Sequence, residues 1–516
     1  MPRFCLLAEF SDSLLALVWV GGCSVKAIKG LSFVVLFSIF TVLGGGVVVR
    51  ADGTAKAVPT FAKDIAPILY ENCTSCHRPG DIAPMSLITY RDTRPWARAI
   101  KDTVLAGEMP PWLADPHNSS GTFRDERILD QATIDTLVAW VDGGAPQGEG
   151  DLPALPDFPE NWTYKDGEPD YVFELPVEYE IAAEGQEEYL DFYVAIPWEE
   201  DRFAEVIELR PSNRSVVHHA GAYVVDLPPG TRVGEHGILE TFDGEVLDRD
   251  AASKLSRKNS TRIEQQVFNQ FNLAGSSKLI SYVPGRGVER FMPGTGKRVT
   301  AGKYVRFTMH YNAVGQVETD QSKLGLWFNT KPVHHEVLTR QAGNPVPTSA
   351  FGHDIYIVQG EEIVPTLDEN GERIRPKIPN IPPYEGNWKI TGITPITEPI
   401  TLYGLSPHMH LRGKSLRWVV TFPDGREETI LDVPKFDFNW QIHYELAEPM
   451  HIPAGSKITG IGVYDNSLAN RWNPGPQLEV YWGDQSWDEM YQAFTEYTID
   501  SQDLTRLIET TDGAQE

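Results

Sequence analysis

Cysteine is scarce in this chain. Among its 516 residues there are four: Cys5, Cys23, Cys73 and Cys76. We predict that the first two fall in a segment that is absent or removed, and the other two are separated by only two residues. A disulfide framework is therefore excluded, and a buried apolar core must stabilise the fold. The length is too great for one core and suggests about three domains.

Positive charge is also in short supply. Lys and Arg total 45 against 72 Asp and Glu, which gives a formal net charge of -27. Because such an excess repels phosphate groups, nucleic acids and anionic membrane surfaces are excluded as partners. The charge fits an acidic soluble protein that works outside the cytoplasm.

The N-terminus indicates export. Lys26 and Lys29 precede the apolar run LSFVVLFSIFTVLGGGVVVRA, which ends in a small-residue pattern at residues 49–51. This order of charge, apolar stretch and cleavage-like site predicts a secretory signal and a periplasmic or cell-surface location in a bacterium. The run is long enough that an uncleaved membrane anchor is the alternative.

The two remaining cysteines belong to a C-x-x-C-H motif formed by Cys73, Cys76 and His77. This is the attachment pattern of c-type haem, in which both thiols bond covalently to the porphyrin and the histidine binds the iron. The alternative is a thioredoxin-like C-x-x-C, which would require flanking strands. Apolar residues at helical spacing flank the motif on both sides instead. A closing helix follows, with a predicted N-cap at Asp130 and with Trp140 inside it. With this helix, residues 55–147 resemble a small class I cytochrome c.

A c-type haem needs a sixth ligand, and methionine is a common one. Met85 and Met109 are the candidates in this region. Two prolines follow Met109 and give it a rigid, extended backbone, so we predict Met109 as the ligand. The alternative role for either methionine is core packing.

After an acidic, proline-rich linker at residues 151–167, the sequence changes character. Short aromatic and β-branched segments such as YLDFYVAI, YVRFTMHY and LRWVVTF alternate with turn residues. Long helical patterns are missing until near the end of the chain. This part therefore predicts an all-β structure of two antiparallel β-sandwiches.

Histidines and one methionine carry the chemistry of this β part. Each could be an ordinary packing residue, but the candidates form two groups along the chain: His218, His219 and His310; then His408, His410 and Met490. Adjacent histidines in a regular strand point to opposite faces, so the first pair can share a metal only where the backbone bends. A thioether combined with imidazoles favours copper over zinc or magnesium.

In their order and local contexts, these motifs resemble the copper type II ascorbate-dependent monooxygenases, which include peptidylglycine α-hydroxylating and dopamine β-monooxygenases. The resemblance covers roughly residues 168–500. It implies that the three-histidine group binds an electron-transferring copper ion. It also implies that His408, His410 and Met490 bind the copper ion where oxygen and substrate react. The implied fold is two consecutive antiparallel β-sandwiches.

Three departures bear on the substrate. Family members that act on peptides carry an arginine two residues before the H-x-H motif, where this chain has Ser406. A tyrosine four residues after the methionine is replaced by Phe494, and Leu411 follows His410 in place of a further histidine. A glycine-extended peptide is therefore excluded as the expected substrate.

The predicted fold class is a small all-α cytochrome c domain followed by two antiparallel β-sandwich domains. The predicted boundaries are 1–51 for the signal, 52–150 for the cytochrome c domain, 151–167 for the linker, 168–335 and 336–503 for the sandwiches, and 504–516 for a tail.

The predicted function is an exported oxidoreductase with one covalent haem c and two copper ions. It would hydroxylate a small-molecule substrate with O2 and receive electrons from an external donor. The alternatives are a non-catalytic electron-transfer or copper-binding protein, and a copper oxidase that does not hydroxylate.

Overall fold

The computed structural model describes residues 57–505, except 159–161, 165–166, 186, 228–229, 248–276, 285–286, 342–349, 365–368, 370–377 and 484–485. The predicted signal, with Cys5 and Cys23, and almost all of the predicted tail lie outside the described residues. All described residues belong to one compact unit, Ala57–Glu516.

Helices are confined almost entirely to the first part of the described chain. The α-helices are α1 (Ala66–Asn72), α2 (Tyr90–Thr93), α3 (Ala97–Leu105) and α4 (Gln131–Asp142). A π-helical turn at Phe61–Ile65 precedes α1, and 3-10 turns lie at Arg94–Trp96 and Glu235–Gly237. The start of α4 is as the sequence predicts, because the Asp130 side chain accepts a hydrogen bond from the Thr133 amide at 2.6 Å.

The helices pack around a small apolar cluster of their own. Phe61, Leu69, Leu137 and Trp140 are at most 1% exposed within it. The Trp140 indole N–H donates to the Pro146 carbonyl, so this buried aromatic side chain leaves no donor without a partner.

The remainder of the described chain is built from strands. The first β unit contains β1 (Tyr171–Glu174), β2 (Tyr179–Ile181), β3 (Glu188–Ala195), β4 (Arg202–Arg210), β5 (Val217–Val225), β6 (Thr231–Val233), β7 (Leu239–Thr241), β8 (Ser277–Tyr282), β9 (Val288–Arg290), β10 (Thr295–Val299), β11 (Tyr304–Tyr311), β12 (Glu318–Asp320), β13 (Lys323–Phe328) and β14 (His335–Glu336).

The second β unit contains the remaining strands. They are β15 (Leu338–Gln341), β16 (Ile355–Val358), β17 (Glu362–Val364), β18 (Trp388–Pro395), β19 (Ile400–His408), β20 (Gly413–Thr421), β21 (Glu427–Val433), β22 (Tyr444–Ile452), β23 (Lys457–Tyr464) and β24 (Gln492–Ile499).

Each β unit contains two larger sheets that share one apolar core. In the first unit the orders are β1-β13-β4-β10-β14, with β9 also paired to β4, and β3-β11-β5-β8. In the second unit they are β15-β24-β19-β22 and β17-β16-β18-β23-β20-β21. Two-stranded pairs, β2 with β12 and β6 with β7, complete the first unit.

The predicted fold class, a small all-α cytochrome c domain followed by two β-sandwich domains, is wrong. The described residues are 38% strand and 12% helical, and only α3 and α4 exceed eight residues among them. They form no separate all-α domain. The segment after α3 leaves the helices, and its side chains Trp112, Ala114 and Phe123 enter the core of the second β unit.

The physical reason is aromatic burial. Trp112 and Phe123 contact Tyr444 edge to face, with ring centroids 5.0 and 5.5 Å away. Backbone hydrogen bonds continue this attachment, since the Arg124 amide donates to the Glu445 carbonyl at 2.9 Å. A helical domain that released this segment would expose both aromatic side chains to water, which costs free energy in proportion to their apolar area.

Trp112→Ala is therefore expected to destabilise the whole chain. Because Trp112 is only 9% exposed, the truncation should lower the free energy of unfolding by about 3–5 kcal/mol. Chemical denaturation measures this loss. The control is Trp96→Ala, at a site that is 42% exposed, which should have a much smaller effect. Equal losses of stability from the two substitutions would contradict the packing of Trp112 against the core of the second β unit.

Candidate functional site

A bulge in β5 resolves the problem of two adjacent histidines. In the pairing of β5 with β11, His310 lies opposite His219, and the next residue, Tyr311, lies opposite Val217. His218 is thus the extra residue on its strand. A β-bulge bends the strand locally and redirects side chains, which allows both imidazoles to turn toward His310.

The three imidazoles converge on one point. The Nδ1 atom of His310 lies 3.3 Å from Nδ1 of His218 and 3.1 Å from Nδ1 of His219. One ligand nitrogen from each ring lies within 4.8 Å of the others. Nitrogens at these spacings match ligands around one small ion with metal–nitrogen bonds of about 2 Å. The donor set therefore fits a metal ion.

Two of these rings, His218 and His219, are held in the neutral form that binds metals. Burial, with smaller effects from neighbouring charges, lowers the pKa of His218 to about 4. The pKa of His219 is also well below its usual value, again mainly through burial. Both rings are consequently neutral at pH 7 and carry a lone pair that can coordinate.

The outer atoms of this cluster have their own partners. Nε2 of His310 lies 3.1 Å from the Glu187 carboxylate, and the Tyr189 ring stacks on His310 with centroids 4.0 Å apart. The Asn439 side chain, from the second β unit, lies close enough to His218 to act on its pKa, which it raises against the larger effect of burial. Hydrogen bonds of this kind fix the orientation of an imidazole and determine which nitrogen keeps its proton.

The second histidine pair lies where β19 ends. His408 is the last residue of the strand and His410 follows it in a turn, with ring centroids 5.2 Å apart. Nδ1 of His408 is hydrogen-bonded to Oε1 of Gln441, and Nδ1 of His410 lies 3.2 Å from the Asp488 carbonyl. A neutral imidazole that donates through Nδ1 carries its lone pair on Nε2, so both rings present that atom for coordination.

Met490 lies in the segment that supports His410. The carboxylate of Glu489, its neighbour, accepts the amide of His410 at 2.9 Å. The Met490 sulfur lies 3.1 Å from the Gln492 amide nitrogen, and Gln492 is the residue opposite His408 in the β19–β24 register. Met490 thus belongs to the segment that contacts the histidine pair, and its role as a ligand stays a prediction.

Phe438 joins the two clusters. Its ring centroid is 5.8 Å from His218, 6.0 Å from His219 and 6.3 Å from His310. It is also 5.8 Å from His410. The histidines of both β units thus contact one phenyl ring, although no sequence motif indicated that residue.

The C-x-x-C-H motif directly follows α1. Nδ1 of His77 lies 3.3 Å from the Met85 carbonyl, which leaves Nε2 as its coordinating atom. Burial, and next the neighbouring Cys76, raises the pKa of Cys73 to about 12; burial also raises the pKa of Cys76. Redox-active C-x-x-C thiols have lowered pKa values, so these shifts weigh against the thioredoxin-like alternative.

The two candidate haem methionines occupy different places. Met85 accepts the His77 imidazole through its backbone and packs against the helical core beside Cys73. It therefore lies on the His77 side of the motif. Met109 follows α3, with its amide 3.4 Å from the Thr103 carbonyl. The assignment of Met109 as the sixth ligand stays a prediction.

A buried ion pair connects the C-x-x-C-H segment to the strand that carries the first histidine cluster. Asp81, 7% exposed, lies 2.6 Å from Arg78 and 3.2 Å from Arg214, which precedes β5. Tyr282 pairs with Ala220, the residue after His219, and Cys76 is among the groups that affect its phenol pKa. The motif and the cluster are therefore close neighbours in the fold.

Comparisons with known proteins identify no family. No protein-family description and no curated protein matches the chain. Among solved structures, a Paenibacillus xanthan lyase is 10% identical over 67% of this chain and 28% of its own length, with a TM-score of 0.17. The capsid protein P2 of bacteriophage PM2 is 10% identical over 61% of this chain and 97% of its own, with a TM-score of 0.17. Similarities this weak carry no argument about fold or function.

Within the described residues, no helix combines the length and the apolar character needed to cross a bilayer. The predicted signal or anchor lies outside these residues.

Proposed function

We propose that the chain is an exported oxidoreductase that holds one c-type haem and two copper ions and hydroxylates a small organic substrate with O2. Copper suits the donor set, because imidazoles combined with a thioether favour copper over zinc or magnesium. An attached haem further favours a redox-active metal, since zinc has no use for an electron carrier.

The observation that carries the proposal is the convergence of both histidine clusters on Phe438. His219 and His410 come from different β units, yet their ring centroids lie 6.0 and 5.8 Å from the same phenyl ring. Unrelated packing histidines would have no reason to meet across two units. Two neighbouring metal sites of different donor type can divide the work between electron storage and reaction with oxygen.

In this proposal the two clusters have separate roles. His218, His219 and His310 hold the electron-transferring ion, whereas His408, His410 and Met490 hold the ion where O2 and substrate meet. Bound copper would supply one-electron redox chemistry at both positions. Each turnover consumes one O2, two electrons and two protons, and yields one hydroxylated product and one water.

The protein's own groups prepare these sites. Glu187 orients His310 of the first cluster, and Gln441 orients His408 of the second. Phe438, 7% exposed, keeps water from the space between the clusters. Fixed ligand orientation and exclusion of water are what a site needs to direct oxygen to a substrate rather than to solvent.

The haem would receive electrons one at a time from an external donor and pass them to the first cluster. The Asp81–Arg214 ion pair, with a separation of 3.2 Å, supports this route, since it joins the C-x-x-C-H segment to the residues that precede β5. Haem attachment through Cys73 and Cys76 places the donor in the same compact unit as the acceptor.

Haem content, copper content and oxygen consumption of the purified chain test the proposal together. We expect one covalent haem and about two copper ions per chain, and substrate-dependent O2 uptake with hydroxylated product in a small-molecule screen. Oxygen consumption without product would favour a copper oxidase. Copper and haem without any oxygen consumption would favour a non-catalytic electron carrier.

The haem ligand is tested separately by exchanging each methionine. Met109→Ala is expected to abolish the methionine–iron charge-transfer band in the visible spectrum, because it removes the sixth ligand. Met85→Ala is the matched control and should keep the band. Loss of the band in the Met85 variant alone would show that the assignment is wrong.

A further inference from the structure

One loop of the second β unit contacts both histidine clusters. Residues 434–443 connect β21 to β22. Within this loop, the Phe438 ring packs against His218 and His219 of the first cluster, and Gln441 is hydrogen-bonded to His408 of the second. Neither contact could be predicted from the sequence, because both partners are distant along the chain.

The contact with the first cluster is made chiefly by the Phe438 ring. Its centroid lies 5.8 Å from that of His218 and 6.3 Å from that of His310. The amide nitrogen of the next residue, Asn439, donates to the Asp437 carboxylate at 2.9 Å, which fixes this side chain within the loop. A metal ion that holds these imidazoles in place would therefore also fix the surface against which the loop packs.

The contact with the second cluster is set from within the same loop. The amide nitrogen of Gln441 donates to the Phe438 carbonyl at 3.1 Å, and this bond aims Oε1 at Nδ1 of His408. The Phe438 ring is packed against histidines of both clusters. A continuous set of contacts thus runs from His218 through Phe438 and Gln441 to His408.

We propose that the 434–443 loop couples the two metal sites, so that copper bound at one cluster raises the affinity of the other. The inference rests on the proposed function only in requiring that both clusters bind copper. A loop fixed by the first ion no longer has to be ordered when the second binds, which strengthens the second binding step. Linkage makes the effect reciprocal, with a factor of about 5–150.

Anaerobic Cu(I) titration of the full chain against a competing chelator tests the coupling. The overall Cu(I) association constant for filling both sites of the wild type is compared with the product of the two single-site association constants. His310→Ala gives the constant of the second cluster, and the double variant His408→Ala/His410→Ala gives that of the first. Coupling predicts a wild-type constant at least about fivefold above the product. The coupling ratio is the overall association constant divided by this product. A coupling ratio within about twofold of one would overturn the proposal.

Loop variants assign the effect to the contacts described. Phe438→Leu is combined with Asn439→Ala and introduced into the wild type and into both histidine variants. This pair should bring the coupling ratio close to one while both sites still bind copper. The matched control is Phe436→Leu, which changes a buried aromatic side chain of the same loop and core and should keep the wild-type ratio. The same loss of coupling in the control would contradict the assigned route.

Hydrogen exchange provides a second measurement that does not rely on His310→Ala folding well. In the His408→Ala/His410→Ala variant, Cu(I) can load only the first cluster. Loading should slow amide exchange in residues 434–443, although the loop belongs to the other β unit. Unchanged exchange there would overturn the coupling.

The number of copper ions bound distinguishes failure of the coupling from failure of the proposed function. A wild type that binds fewer than two copper ions would overturn both. Two copper ions that bind independently would overturn the coupling alone.

Discussion

Met490→Ala is expected to lose the copper ion of the second cluster and almost all hydroxylation. Without the thioether, His408 and His410 retain only two imidazole donors, which bind copper loosely. The first cluster and the haem use other residues, so one copper ion and the haem spectrum should remain. Copper analysis after gel filtration and haem reduction by an external donor measure these outcomes on one preparation.

The alternative role of Met490 is packing. Met490 is partly buried, so truncation would then lower the free energy of unfolding by about 1–2 kcal/mol, with no selective effect on copper. Met450→Ala is the matched control, because Met450 also packs partly buried against the core of the second β unit. Full copper occupancy with a lowered melting temperature in the Met490 variant would refute its assignment as a ligand.

Cys73→Ser combined with Cys76→Ser is expected to abolish covalent haem. The thioether bonds need both thiols, and a serine hydroxyl cannot replace them. Both copper ions should still bind, because the cysteines lie outside the histidine clusters. Reduction of that copper by an external redox protein should then become much slower, since the proposed entry route is gone. Haem staining of a denaturing gel and stopped-flow reduction measure the two effects.

Ser75→Ala is the control for this double variant, because Ser75 lies between the two cysteines and leaves both thiols in place. It should retain haem and the wild-type reduction rate. Rapid copper reduction in the chain without haem would contradict the route from haem to the first cluster, whereas retained covalent haem would contradict the attachment itself.

Local sequence patterns predicted the elements whose chemistry is local. The Asp130 cap of α4 was predicted from the residue type alone and is confirmed by its hydrogen bond to the Thr133 amide. The sequence also showed that His218 and His219 could share a metal only if the backbone bends. The bulge opposite His310 supplies that bend. A strand pattern cannot place such a bulge, because it depends on the register with β11.

The partner groups of the imidazoles were not predictable. Asn439, Gln441 and Phe438 lie in a loop whose composition marks only a turn, and the distances that matter join residues far apart in sequence. The wrong fold class has a similar origin. Trp112 and Phe123 follow the helices along the chain, but nothing in their spacing tells which apolar core they enter, and they enter that of the second β unit.

Metal analysis combined with copper X-ray absorption on the purified, copper-replete chain tests the central claim most directly. We expect about two copper ions per chain, nitrogen scattering from imidazoles, and a sulfur contribution that disappears in Met490→Ala while the nitrogen signal of the first cluster remains. Stoichiometric zinc in place of copper, or a sulfur signal that survives the substitution, would contradict it.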